Sequence, residues 1–448
     1  MKKKFLVSML ALVVGLPCSL TLAACGEKEN VDTSTILNSN MISLEYNYTM
    51  YNGLAKEPEV VIEVNESVVA DSEYSVQYAN NINAGVADVV VTANEGSKIL
   101  SGNASTNFTI GAARINVATY DDLKSALQNA NYSSISLKDN ITIPAGETIV
   151  VAEGRTINCG DYVIINNGTI ENHGKIKVNV NTKVAFEDAM QYASHIQLTN
   201  NIEMAASEKI NIDAEVAGKN INLDIDLSGY SILGYIRVCG KEYQANVNIK
   251  DFKQKSSIGS ENSDYGIISI GDNSYVSLYG VNVKAYYAAL ATNGLYEGGS
   301  VTATLCKFTA YSTELGNNSG LAAYLPAKSA YSFTNCEFSG SSAYYAKSGT
   351  HTLINCAFNG TQSTYETPKH YGSGGNATGS ALIIDSSMGY KTPLMLTVYN
   401  GKFTSVAGYG IEEYCSGNVE DYSTTNFYGE LTYTTEKENH KIWESPVA

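Results

Sequence analysis

The sequence predicts an all-β protein in which a long solenoid of stacked parallel strands follows a small antiparallel sandwich. A six-residue phrase carries the solenoid, returning at 278–283, 303–308, 333–338, 353–358 and 398–403, with a worn copy at 426–431. Its last residue advances by 25, 30, 20, 45 and 28 positions. Short β-type runs recurring every 20–50 residues or so mark stacked repeats. Unequal steps suit coils with fixed strands and variable turns, because each coil touches only its neighbours. Between the copies falls a second phrase: Tyr265-Gly266-Ile267, Tyr287-Ala288-Ala289, Tyr345-Ala346 and Tyr409-Gly410-Ile411. The sandwich rests on alternating runs at 60–64, 74–78, 86–91 and 108–110, separated by turn residues.

Stacking explains the residues of the first phrase. In a parallel stack with strands about 4.8 Å apart, each inward side chain lies on its equivalent in the next coil. Phe308, Phe338, Phe358 and Phe403 then form one internal column, with Cys306, Cys336 and Cys356 in another two positions earlier. Asn335, Asn355 and Asn400 coincide just before the cysteine or the glycine that replaces it. Asn tolerates bent backbone and its amide bonds its own copies, so an Asn ladder at a turn is expected. This pattern, over roughly residues 112–431, resembles the right-handed parallel β-helix of the pectate-lyase-like superfamily.

The chain begins with Lys2, Lys3 and Lys4, followed by a largely apolar stretch to Leu22 that is short for a spanning helix. Leu22-Ala23-Ala24-Cys25-Gly26 resembles the lipobox of bacterial lipoproteins. The resemblance implies a signal peptide over 1–25, cleavage before Cys25, and lipid on the new terminal cysteine. Two or three acyl chains anchor far better than one, since each buried methylene adds about 0.8 kcal/mol. Residues 26–41 read as a flexible polar tether. In the 42–111 segment, Tyr51-Asn52-Gly53, Pro58, the 74–78 run, Asn80-Asn81 and Asn83-Ala84-Gly85 resemble a bacterial immunoglobulin-like repeat, which implies a spacer.

The β-helix opens over 112–180 with a partial duplication. Leu123, Ala126, Leu127 and Ala130 give one apolar helical face after Thr119, followed by strands at 135–137 and 141–143. The same order returns after Thr182, offset by 63 residues at the helix and 61 in the strands. One helix is expected to cover the open edge of the first coil and the second to sit where the solenoid restarts. The remainder, 181–448, continues as parallel β-helix. Its polar tail over 432–448 is expected to cap the last coil.

Composition narrows the function. Charged residues make up 17% and the net charge is −16, which argues against a basic face for nucleic acid or anionic lipid. Tyrosine reaches 32 residues, suited to half-exposed sheet faces and carbohydrate contacts. Six cysteines follow Cys25 (Cys159, Cys239, Cys306, Cys336, Cys356 and Cys415) without a CxxC pair, and they read as buried free thiols.

Polygalacturonase-like hydrolases carry Asn-Thr-Asp, Asp-Asp and Gly-His-Gly motifs. Here the one Asp-Asp, Asp121-Asp122, falls in the predicted helix and Gly-His-Gly does not occur. Pectate-lyase-like enzymes pair a calcium-holding carboxylate cluster with a basic residue, yet Arg155 and Arg237 stand apart from acidic clusters in sequence. Asp224 and Asp226 share a strand face where calcium is conceivable, but a solvated face is the simpler reading. Glu412 and Glu413 point to opposite faces. His351 and His370 show no partner in the sequence. No catalytic residue, cofactor or metal ligand is assigned, and the sequence leans against an enzyme.

The expected function is therefore that of a lipid-anchored adhesin or glycan-binding protein on the outer side of a bacterial cell membrane. It would meet a polysaccharide or host glycan, touch membrane through its anchor alone and bind no nucleic acid. A polysaccharide lyase or glycosidase with a non-standard site is the second reading, and a structural envelope protein the third. Tyr286, Tyr287, Tyr311 and Tyr324 are expected along the outer ridge. The 45-residue step from Phe358 to Phe403 exceeds one coil and concentrates Tyr365, Glu366, Lys369, His370 and Tyr371 before a glycine-rich hinge at 372–375. Beside Tyr344 and Tyr345, this insertion is expected to act as a lid over a sugar-binding groove.

Overall fold

The computed structural model describes residues 34–314, 319–367, 370–371, 374–386, 393–414 and 423–443. The chain divides into two compact units, one ending at Gly111 and the other beginning at Ala112.

The first unit pairs a three-stranded sheet (Ile42–Leu44, Val60–Val64, Ser67–Val68) with a four-stranded one (Tyr48–Met50, Asn103–Gly111, Gly85–Ala93, Tyr74–Ala79). The alternation works as expected: Ala87, Val89 and Val91 point into one core with Ile62, Phe108 and Ile110. The unit is not wholly antiparallel, because Tyr48–Met50 runs parallel to Asn103–Gly111.

The second unit is all-β with long all-parallel sheets, consistent with a parallel β-helix. Seventeen strands, from Ala113–Val117 to Ser423–Thr435, form one sheet. Nine strands form another, from Lys209–Asp213 to His440–Trp443. Two of the three α-helices among the described residues each lie between strands that pair in the seventeen-stranded sheet. In α1 (Tyr120–Gln128), Thr119 accepts from the Asp122 amide and Leu123, Ala126 and Leu127 are buried. In α2 (Lys183–Met190), Thr182 accepts from the Ala185 amide and Phe186 and Ala189 are buried. The seventeen-stranded sheet runs through residue 180 without a break, since Lys175–Val180 pairs with His195–Leu198.

The core columns form as the repeats require. Phe308, Phe338, Phe358 and Phe403 are in register, and successive rings stack 4.9, 5.4 and 5.2 Å apart. Cys306, Cys336 and Cys356 lie buried two positions earlier; with Cys159 and Cys239 they are free thiols, while Cys415 lies outside the described residues. Asn335, Asn355 and Asn400 turn the chain at φ of 54°, 53° and 55°. Asn355 donates to the Asn335 amide oxygen at 3.2 Å and Asn400 to that of Asn355 at 2.9 Å. At Gly401 a β-carbon would come within 2.8 Å of the Phe403 ring, so cysteine gives way to glycine there.

One expectation is corrected. The worn copy ends its column at Tyr433, not Leu431: Tyr433 pairs with Phe403 after a bulge and stacks on it at 5.2 Å. The second phrase is not one column, since Tyr265 aligns with Ala288 whereas Tyr345 aligns with Ile383 and Tyr324. Register rather than residue identity decides where a side chain points. Within the tail, His440–Trp443 forms a further rung: it pairs with Ile411–Tyr414, and Trp443 stacks on Tyr414 at 5.9 Å.

Candidate functional site

Pairing along the nine-stranded sheet sets one outward column. It runs Asn211, Arg237, Ile268, Ala291 and Tyr324, then Tyr345, Ile383, Glu412 and Lys441. At its near end Arg237 donates to Asn211 and Asp213, each at 2.7 Å. The fold thus supplies the carboxylate partner that Arg237 lacks in sequence, and spends the guanidinium on an ion pair.

The middle of the face is open. Tyr265, Ile268, Ala288, Ala291, Thr292 and Tyr324 line a cleft of about 220 Å³ with Asn293 and Pro326. Tyrosines border it: Tyr265 lies 5.9 Å from Tyr235 and 6.4 Å from Tyr287, and Tyr287 lies 5.0 Å from Tyr286. Partial burial raises the Tyr265 phenol above its usual value, so it is a protonated hydrogen-bond donor at neutral pH. Flat rings flanked by hydroxyls and backbone amides can accept a sugar face and its hydroxyls together.

The far end is closed by the long insertion. Glu412 is fully buried and accepts from Tyr365 (2.6 Å), Thr378 (2.6 Å), Ser380 (2.7 Å), Trp443 (3.2 Å) and Tyr414. A carboxylate offers about four lone-pair sites, so these five donors take up its acceptor capacity. Burial first, then the Glu412 carboxylate, pushes both the Tyr365 and Tyr414 phenols upward, keeping them donors. Asp385 is buried with Lys347 at 3.0 Å and accepts from Tyr345 at 2.6 Å. Glu413 points the other way, toward Thr425 and His440.

These contacts redistribute the expected ligand residues. Tyr344 and Tyr345 are both buried, at 0% and 2% exposure, so neither lines a surface groove. Tyr344 faces the core, where its hydroxyl meets His351 Nδ1 at 2.8 Å. Tyr345 faces outward, but Gly375 packs so closely on it that a β-carbon there would meet its hydroxyl. Lys347 also donates to the Gly374 carbonyl at 3.0 Å. Gly375 therefore allows close approach of backbone to sheet, and residues 372–373 of the expected hinge lie outside the described residues. Tyr365 is half-buried against Glu412, and the Glu366 amide bonds the Thr378 carbonyl. His370 and Tyr371 form a short antiparallel pair with Gly374 and Gly375; Lys369 lies outside the described residues.

Of the remaining ridge tyrosines, Tyr311 is exposed, Tyr286 and Tyr287 are half-buried, and Tyr324 is buried. His351 is buried between partners, with Nε2 donating to the Ser348 carbonyl at 2.7 Å. Asp224 is taken up by His195 at 3.0 Å and Asn248 at 2.9 Å, and Asp226 by Ser228. Sequence reasoning missed Tyr235 and Tyr265 as neighbours, because they stand one and two positions before Ile236 and Ile267, which pair in register.

The chain matches no family model, no curated protein and no solved structure.

Proposed function

We propose that the protein is a lipid-anchored, cell-surface glycan-binding protein or adhesin. In this reading Cys25 is the lipidated terminus, residues 42–111 are an immunoglobulin-like spacer, and residues 112–448 are a right-handed β-helix of the pectate-lyase-like kind. The carrying observation is the open cleft on the nine-stranded sheet, bordered by Tyr235, Tyr265 and Tyr287. The buried carboxylates nearby favour binding over hydrolysis, because Glu412 is saturated with donors and Asp385 is paired. A glycosidase needs two carboxyl groups free to reach either side of a glycosidic bond.

The test incubates the mature ectodomain with a polysaccharide panel and reads both retention and product release. Retention without release, weakened by Tyr265→Ala, is expected. Release of unsaturated or reducing products would establish the lyase or glycosidase reading instead. Changing Cys25 to Ser should move the protein from the membrane to the soluble fraction.

A further inference from the structure

The outward face of the seventeen-stranded sheet carries a second surface that the cleft does not use. Six successive strands, from Ser274–Tyr279 to Ser423–Thr435, stack in register and present three outward columns. The central one is hydroxyl- and amide-bearing throughout: Ser277, Thr302, Ser332, Thr352, Thr397 and Asn426. Beside it run Tyr279, Thr304, Thr334, Ile354, Tyr399 and Tyr428, and the third column runs from Tyr275 to Thr424. None of these eighteen positions is ionisable as an acid or base of the Asp, Glu, Lys or Arg type. At the chain's 17% charged content, about three of eighteen would be expected on a solvated face, where charged side chains normally concentrate. The charges lie on the rim, as in the Lys307–Glu337 pair at 2.9 Å.

Aromatic rings stand at both ends of the strip. Tyr399 and Tyr428 are 43% and 49% exposed and stack at 5.2 Å with 20° between planes. Phe252, 69% exposed, lies 5.4 Å from Tyr279. From Tyr279 to Tyr428 is five inter-strand steps, roughly 24 Å at about 4.8 Å per step.

We propose that this face binds an uncharged linear polysaccharide lying along the stacking axis. Its sugar faces would rest on the terminal rings and its hydroxyls on the ladder between them. The absence of charge on the strip within a chain of net charge −16 selects the ligand class. An anionic polymer would find no cation there and would be repelled by the rest of the molecule. The inference deepens the glycan-binding reading and rests on it, at a surface separate from the cleft.

The experiment measures retention of the mature chain on an uncharged β-glucan and on polygalacturonate, at low and high salt. Tyr399→Ala/Tyr428→Ala should weaken β-glucan binding about tenfold or more, while Tyr399→Phe/Tyr428→Phe retains it. Added salt should have no effect, as no charges pair. β-Glucan binding that survives the double alanine change overturns this site and leaves the broader reading standing. Salt-sensitive binding to polygalacturonate alone overturns the ligand class. Retention on neither polymer or on any other glycan overturns both.

Discussion

Phe338 stacks on Phe358 with ring centroids 5.4 Å apart and 5° between planes, while Phe308 covers its other face at 4.9 Å. The spacing follows from the parallel ladder, which sets equivalent residues about 4.8 Å apart. Phe338 is 1% exposed, so Phe338→Ala removes a ring from the middle of a closed column. The expected loss is about 3–5 kcal/mol in reversible urea unfolding. Tyr399→Ala, on the exposed face of the same coils, should stay within about 0.5 kcal/mol. Similar losses for the two would contradict the assignment of inside and outside.

Leu305 occupies the ladder position of its coil at φ of 57°, where the following coils use Asn. A branched side chain in the left-handed region costs roughly 1–2 kcal/mol, which Asn largely avoids. Leu305 is 37% exposed, so little core contact is lost by replacing it. Leu305→Asn would also give the Asn335 amide a partner below it. A gain of about 1 kcal/mol is expected, read as a higher urea midpoint at unchanged slope; a lower midpoint would show that Leu305 packs to advantage.

The columns were legible in sequence because a coil repeats its own inward residues. Phe308 to Phe403 and Asn335 to Asn400 keep the same offset from one another, whatever the turns do. The closed end of the nine-stranded sheet was not legible, for a physical reason. Glu412 draws its donors from positions 365, 378, 380, 414 and 443, which only coil stacking brings together. Alternation assigns one face of a strand to the core, so it implies that one of Tyr344 and Tyr345 is exposed. Both are buried because the inserted segment covers the second face with Gly375 and Ala377. The displaced copy at Leu431 failed similarly: pairing is already one residue off at Tyr399 and Tyr428, and the bulge before Gly401 adds a second.

His351 links the core to pH. Complete burial pushes its imidazole down to about 4, against about 6.5 in an unfolded chain. The neutral ring suits its contacts, with Nδ1 accepting from Tyr344 and Nε2 donating to Ser348. Between these two values the unfolded state binds the proton that the folded state refuses. This contribution is therefore fully present above about pH 6.5 and is lost as pH falls toward 4, amounting to about 3 kcal/mol. His351→Gln should flatten the stability profile across that window relative to the unaltered protein. Parallel profiles would mean that His351 does not titrate differently on unfolding.

Lys347 and Asp385 form an ion pair with both side chains at 0% exposure. The pair is also bonded outside itself, Lys347 to the Gly374 carbonyl and Asp385 to the Tyr345 hydroxyl. It thereby fastens the inserted segment to the sheet, and its removal should be felt as lost stability rather than lost ligand contact. Lys347→Met leaves Asp385 buried and uncompensated, a change expected to cost about 3–5 kcal/mol. Lys347→Met with Asp385→Leu removes both charges and should recover most of that loss. A remainder of about 1–3 kcal/mol is expected from the unsatisfied Tyr345 hydroxyl and Gly374 carbonyl. Urea unfolding of the two single variants and the double variant closes the cycle. Additive losses would show that the two charges do not act as a pair, and that the segment is held down by Glu412 and its donors alone.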